Sequence, residues 1–180
     1  MITRKAYEAL RARTLTYFEK ASIILTAEEK DRVEVADFGL DDIEHFGLEL
    51  VTYVNTDRVC AKEMVLFPMQ ICPEHRHPSL KGQPGKEETF RCRAGRVYLY
   101  VSGEPTAHPH AVPPASGAPY LTVWHEIMLG PGEQHTIHPD TPHWFQSGPE
   151  GAVVSEFSTT SHDETDIFTD PHIRRAPVVE

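Results

Sequence analysis

Two histidines one residue apart, His75 and His77, are the first residues in this chain whose spacing could hold a metal ion. On an extended strand, residues two apart point to the same face, so both imidazoles can grip one ion. After a ten-residue insert, Pro78–Glu87, comes Glu88, which opens the run Glu88-Thr-Phe-Arg-Cys-Arg-Ala-Gly95. Gly95-Arg96 then reads as a tight turn into a further strand. Much later, His138-Pro-Asp-Thr-Pro-His143-Trp-Phe is a proline-rich turn that delivers His143 onto a strand. Three imidazoles and a carboxylate make a mixed N/O donor set, which suits Mn, Fe, Co, Ni or Zn better than Ca or Mg. Eight of the 11 histidines lie between His75 and His143, so the donors sit in a histidine-rich stretch of the chain.

The elements that must position these groups read as mostly β. Ala6, Tyr7, Leu10, Thr14 and Phe18 recur at helical spacing between Thr3 and Lys20, and Thr26-Ala-Glu-Glu29 is a capping box for a second, shorter helix. Beyond Val33 the pattern changes. The runs Leu48–Val54, Lys62–Met69, Glu88–Arg93, Arg96–Ser102, Tyr120–Leu129, His143–Ser147 and Ala152–Ser158 are rich in Val, Tyr, Phe, Leu and Trp, with Gly, Pro, Asn and Asp between them. Many short strands punctuated in this way indicate an all-β sandwich or barrel. His108–Pro119 reads as an exposed loop. The expected organisation is a helical segment at 1–32, a β-barrel at 33–160 and a C-terminal tail at 161–180 that packs on the barrel, forming a single domain.

Composition narrows the partners. The 180 residues carry 17 Lys+Arg against 27 Asp+Glu, a net charge of −10. Nucleic acid and anionic membrane surfaces both need a basic patch, so neither is expected as a partner. The three cysteines, Cys60, Cys72 and Cys92, form no Cys-x-x-Cys and no disulfide framework. No apolar run is long enough to span a bilayer, and the N-terminus reads as having no signal peptide, so a cytoplasmic protein is expected.

The set His75, His77, Glu88, Gly95 and His143 resembles the two motifs of the cupin superfamily, with a longer gap before the glutamate than that pattern usually has. Glu87 adjoins Glu88, and the spacing to Gly95 favours Glu88 as the ligand. The insert could lie over the site mouth. Three longer runs are more specific: Pro84-Gly-Lys-Glu-Glu-Thr-Phe-Arg-Cys92, Pro131-Gly-Glu-Gln-His-Thr-Ile-His-Pro-Asp-Thr-Pro-His-Trp-Phe-Gln146, and the stretch from Val154 to Pro171. Together they resemble the D-lyxose isomerase family, from about Phe38 to Arg174. The resemblance implies a cupin double-stranded β-helix, or jelly-roll barrel, with short N-terminal helices. It implies a Mn²⁺ site, able to take Zn²⁺, Co²⁺ or Fe²⁺, on His75, His77, Glu88 and His143. It also implies sugar-facing roles for Lys86, Glu156 and Asp166. A homodimer is expected.

The resemblance implies an aldose–ketose isomerisation of D-lyxose and D-xylulose, with D-mannose and D-fructose as a second pair, and the residues make chemical sense under it. That reaction needs a Lewis acid on the carbonyl and a base near the carbon that loses its proton. Glu156 lies in the apolar run Ala152-Val-Val-Ser-Glu-Phe-Ser158, on the face of Val154 and Ser158. A carboxylate on the inner face of a barrel is costly without a task or a partner, which makes Glu156 the candidate base. Lys86 is placed to stabilise enediolate charge or relay a proton. Glu133, His135 and Arg174 are candidates for contact with sugar hydroxyls, and Trp144 for a ring face. Two other readings use the same ligands: an Fe(II) cupin dioxygenase, which needs neither Lys86 nor Glu156, and a non-enzymatic sugar-binding cupin.

Overall fold

The computed structural model describes residues 2–80 and 82–175; Lys81 in the insert and 176–180 at the end of the expected tail lie outside the described residues. Helix α1 (Arg4–Lys20) begins where Thr3 accepts a hydrogen bond from the Ala6 amide. It lays Phe18, Tyr7, Leu10 and Leu15 on Val51, Val65, Phe67 and Val153, the outer face of the sheet. Helix α2 (Ala27–Asp31) carries the expected reciprocal capping box, with Glu29 N to Thr26 Oγ1 at 3.2 Å and Thr26 N to Glu29 Oε2 at 2.8 Å.

Among the described residues nine antiparallel strands follow: β1 (Glu34–Ala36), β2 (Leu48–Asn55), β3 (Cys60–Leu66), β4 (Ile71–Arg76), β5 (Glu88–Val101), β6 (His125–Leu129), β7 (Gln134–Ile137), β8 (His143–Ser158) and β9 (Ile167–Phe168). Their order is β1-β2-β3-β8-β4-β9, with β5 pairing β6, β7 and β8. Strands β5 and β8 pair along almost their whole length, from Glu88↔Ser158 at one end to Val101↔His143 at the other. Yet the Glu88 carboxylate lies 3.0 Å from the His143 ring. Both ends of the ribbon therefore meet, and the ribbon must fold back on itself as a U. Leu50, Met64, Cys92, Leu99, Phe145 and Val154 fill the interior between its arms. This is the all-β barrel expected from the strand pattern, in the jelly-roll form that the resemblance implies.

The bend of the U corrects one expectation. Gly95-Arg96 is not a turn between two strands. It is a corner within β5, where the register slips between Cys92 and Ala94 and again between Gly95 and Val97. β-bulges of this kind bend a strand without ending the pairing. Gly95 has φ +74°, and a Cβ there would stand 2.0 Å from the Gly151 carbonyl oxygen. Gly95→Ala is expected to cost at least about 1–2 kcal/mol from the left-handed backbone alone, with the backbone clash in addition. A lowered urea midpoint with an unchanged m-value would check it.

Strands β1, β4, β7 and β9 lie outside the expected runs, and Tyr120 ends a short 3-10 turn rather than starting a strand. The His108–Pro119 loop has no strand, as expected, but it is not free in solvent. His110 stacks on Tyr98 at 5.1 Å and bonds Glu126 at 2.7 Å, while the Ala111 amide donates to the Tyr100 hydroxyl. The loop covers an outer aromatic layer that would otherwise face water. The C-terminal segment packs on the barrel, where β9 pairs with β4 through His75↔Phe168 and Arg76↔Ile167. No helix among the described residues is long and apolar enough to cross a membrane.

Under α1, Glu49 is fully buried; Oε1 accepts from Gln70 Nε2 at 3.3 Å, and Oε2 has no partner among the described residues. Burial raises its carboxyl from 4.5 to about 8, against the Gln70 bond and Arg13. Between those values the unfolded chain has lost this proton and the folded chain retains it. Stability from this group is thus complete below 4.5 and is lost as pH rises through 8, at up to about 1.4 kcal/mol per unit. Glu49→Gln is expected to remove that slope, read as the difference between the two proteins in urea unfolding across this range.

Candidate metal centre and active site

Four donors converge at the end where the ribbon closes. His75 ends up beside His143 through the β4–β8 pairing, and His77 follows just past β4 on the same face. Glu88 opens β5. All four are buried, and one ligand atom from each lies within 4.8 Å of the others. The tautomers follow from the outer nitrogens. His75 Nδ1–H donates to the Pro73 carbonyl at 2.8 Å, His143 Nδ1–H to the Thr141 carbonyl at 2.9 Å, and His77 Nδ1–H to Asp166 Oδ1 at 2.6 Å. His77 Nε2 and His143 Nε2 then both face the Glu88 carboxylate, the first hydrogen-bonded to Oε1 at 3.1 Å. His143 Nε2 is buried 3.0 Å from Glu88 Oε1 with no hydrogen bond, because two acceptors face each other. Such an arrangement is repulsive until a cation lies between them. The residues present therefore fit a divalent ion, and fixing ring orientation from the outer nitrogen is how proteins tune such ligands.

The electrostatics agree. Burial, reinforced by His143 and His77, holds the His75 imidazole well below its ordinary value and therefore neutral. Burial also disfavours the charged form of His77, but Glu88 and Asp166 outweigh it and raise its pKa to about 9. A proton and a metal ion compete for that nitrogen. Glu88 stays well below the ordinary carboxylate range despite burial, because Lys86 and His77 face it.

A second layer of charge adjoins the donors. Lys86 Nζ sits 2.7 Å from Glu88 Oε2 and 3.2 Å from Glu156 Oε1, and the Ser158 hydroxyl donates to the same Glu156 oxygen at 3.0 Å. Burial opposes the Lys86 charge, but Glu156, then Glu88 and Asp163, hold the ammonium well above its usual range. On the far side of Glu156, Lys62 Nζ lies 3.9 Å from Oε1 and donates to both Asp163 oxygens at 2.8–2.9 Å. Arg175 completes the chain, 3.1 Å from Asp163 and paired with Glu34. Lys62, Lys86 and Arg175 together keep Asp163 ionised far below its ordinary range despite burial. Phe38, Phe90, Phe145 and Phe168 line the same cavity. The insert loop lines an adjoining vestibule of about 880 Å³ that shares His77, Lys86 and Asp166.

A family model for D-lyxose isomerase matches residues 19–180. The D-lyxose/D-mannose isomerase of Thermosediminibacter oceani is 63% identical over 99% of this chain and 94% of its own length. The chain belongs to the D-lyxose isomerase family. The D-lyxose ketol-isomerase of Cohnella laeviribosi is 62% identical over 94% of this chain and 93% of its own. Two solved L-ribose isomerases share the fold at low identity. That of Cellulomonas parahominis has a TM-score of 0.82 at 18% identity, and that of Acinetobacter sp. DL28, solved with L-ribose, 0.83 at 17%. Both comparisons cover 99% of this chain and 98% of the other.

Within this sugar-isomerase family member, the expected positions divide clearly. His75, His77, Glu88, His143, Lys86, Glu156 and Asp166 all line one site, the last as the partner of His77. Glu87 points away and bonds exposed His138 at 3.0 Å, so Glu88 rather than Glu87 faces the imidazoles. Glu133 does not reach the site. It closes the β6–β7 turn by accepting from the Gly130 amide at 2.7 Å, and β7 runs from there to the Glu88 end through Ile137↔Glu88, so Glu133 lies four residues, roughly 13 Å, down the barrel. His135, also on β7, does not line the cavity; burial and the neighbouring His138 and His125 lower its pKa. Arg174 is exposed against Gly39, and its neighbour Arg175 is the arginine in the cavity. Trp144 is buried outside the barrel, stacked 4.1 Å from Tyr100. The residues missed are Lys62, Asp163 and Arg175. Period-two alternation could have found Lys62, which shares a face with Met64 and Leu66; Asp163 and Arg175 lie in segments without periodicity.

Proposed function

We propose that this chain interconverts D-lyxose and D-xylulose, and D-mannose and D-fructose, as a Mn²⁺-dependent cytoplasmic homodimer. The observation that carries the reading is one cavity in which a carboxylate, Glu156, stands between two lysines beside a four-donor metal centre. A divalent ion held by His75, His77, Glu88 and His143 would supply Lewis-acid polarisation of the sugar carbonyl.

The chain's own residues account for the proton. Glu156 takes the C2 proton of the open-chain aldose, the C–H electron pair becomes the C1=C2 bond, and the carbonyl π pair moves onto O1. The same carboxylic acid returns the proton to C1 as the O2 hydroxyl becomes the ketone and its proton passes to O1. Lys86, held as a cation, stabilises the negative charge that develops on the enediolate. Lys62, Asp163 and Arg175 offer donors and acceptors to the remaining hydroxyls. Asp166 holds the His77 ring, and the aromatic walls exclude water from the carbanion-like centre.

Ketose formation from D-lyxose with added Mn²⁺, together with solvent deuterium entering C1 of the ketose and, by reversal, C2 of the aldose, tests the reading. Parallel titrations with Zn²⁺, Co²⁺ and Fe²⁺ test the metal. Oxygen uptake without ketose would favour the dioxygenase; sugar binding without exchange would favour the binding protein. Light scattering on the purified chain tests the dimer. Ile24, 93% exposed beside the apolar groove of Leu15, Phe18 and Leu25, supports the N-terminal helices as the contact.

A further inference from the structure

One buried carboxylate next to the metal centre has no part in the chemistry above. Glu74 precedes His75 on β4 and is 2% exposed. Alternation along the strand turns its side chain away from the imidazole, toward the outside of the barrel. There its two oxygens accept four hydrogen bonds from two segments far apart in sequence. The Thr122 amide, the Thr122 hydroxyl at 2.7 Å and the Val123 amide at 3.1 Å come from the long loop before β6. The Thr169 hydroxyl, at 2.6 Å, comes from the C-terminal segment, whose amide at the same residue also donates to the Glu74 carbonyl at 3.0 Å.

Thr169 directly follows β9, and β9 is two residues long. A strand that short holds itself in place poorly. Yet the segment it belongs to carries Asp166, the partner of His77, and Phe168, whose ring lies 5.3 Å from that of His75. Whatever fixes this strap to β4 therefore fixes the orientation of two of the proposed metal ligands. Hydrogen bonds that a carboxylate accepts from neutral donors are about twice as strong as neutral pairs, and Glu74 accepts one from Thr169, just past the end of β9.

We propose that Glu74 is a positioning residue that clamps the C-terminal strap onto β4, so that Asp166 and Phe168 hold His77 and His75 in ligand geometry. The inference rests on the metal-centre reading above. Its contacts divide by segment, and so does its test. Thr169 is exposed, so Thr169→Val deletes the strap bond without touching the core, and Thr169→Ser restores it. Thr122→Val deletes only a loop bond. Glu74→Gln places an amide donor against donors.

The experiment measures Mn²⁺ affinity of the full chain by EPR titration and amide hydrogen exchange of the 164–169 segment in the metal-free protein. Thr169→Val is expected to weaken Mn²⁺ binding about 10–100-fold, the usual effect of losing support for a ligand, and to speed strap exchange. Thr169→Ser is expected to recover both, Thr122→Val to leave the affinity unchanged, and Glu74→Gln to weaken it at least as much as Thr169→Val. Wild-type affinity in Thr169→Val would overturn the clamp, as would equal losses in Thr122→Val, which would mean that Glu74 acts only through general stability. Should the wild-type chain bind no divalent ion, the metal reading falls by itself. The exchange data then still judge the clamp, and unchanged strap exchange in Thr169→Val overturns it.

Discussion

Glutamine in place of Glu156 is expected to lower kcat by about 10²–10⁴-fold, the usual contribution of a positioned base, while Mn²⁺ binding is unchanged. The charge arrangement explains why the fold survives the change. Lys86 keeps Glu88 at 2.7 Å and Lys62 keeps Asp163 at 2.8 Å, so neither buried cation is left unpaired when one carboxylate becomes an amide. The amide oxygen can still accept from Lys86 and from Ser158. What is lost is the capacity to take a proton. Lys86 cannot replace it, because the carboxylates around it hold its own proton far above neutrality. Deuterium incorporation from solvent should therefore fall in step with ketose formation. Near-native exchange in Glu156→Gln would remove Glu156 as the base and leave the metal centre untouched as a hypothesis.

The contrast between Glu156 and Asp163 shows where sequence reading reached and where it stopped. Glu156 sits in a strand whose alternation is clear, so its inward direction followed from Val154 and Ser158. His75 and His77 followed from the same period of two. Glu88 is separable from Glu87 only through the distance to Gly95, and the register puts Glu88 on the inner face with Phe90. Asp163 lies in a run of acidic residues with no period, where a solvated surface is the ordinary outcome. It is drawn inward by Lys62 and Arg175, which arrive from strands and a tail with no local link to it. The same lack of periodicity separates Arg175 from Arg174: one residue of phase on an irregular segment decides which guanidinium enters the cavity. Glu133 and His135 failed for a different reason. They sit on and before β7, which pairs with β5 rather than β8, and the turn before it lies toward the opposite end of the barrel.

His143→Ala is expected to abolish Mn²⁺ binding at micromolar concentrations and with it all measurable turnover. His143 has a fully buried Nε2 with no hydrogen-bond partner among the described residues, while its Nδ1 is committed to the Thr141 carbonyl. Its ring is fully buried, 4.3 Å from His75 and 6.3 Å from Phe90. Truncation thus removes a donor that nothing nearby can replace and leaves an apolar gap where the ion would need a fourth contact. Stability separates loss of metal from loss of fold. A ligand that binds only the folded state stabilises it by about 2.7 kcal/mol at one hundred times its dissociation constant. Thermal unfolding of the wild-type chain should therefore shift upward with added Mn²⁺, and that of the alanine variant should not shift. The metal-free variant should still unfold cooperatively, because the barrel interior around Leu99, Phe145 and Val154 is intact. A Mn²⁺-dependent shift of wild-type size in His143→Ala would show that the ion is held elsewhere and would defeat the four-donor assignment.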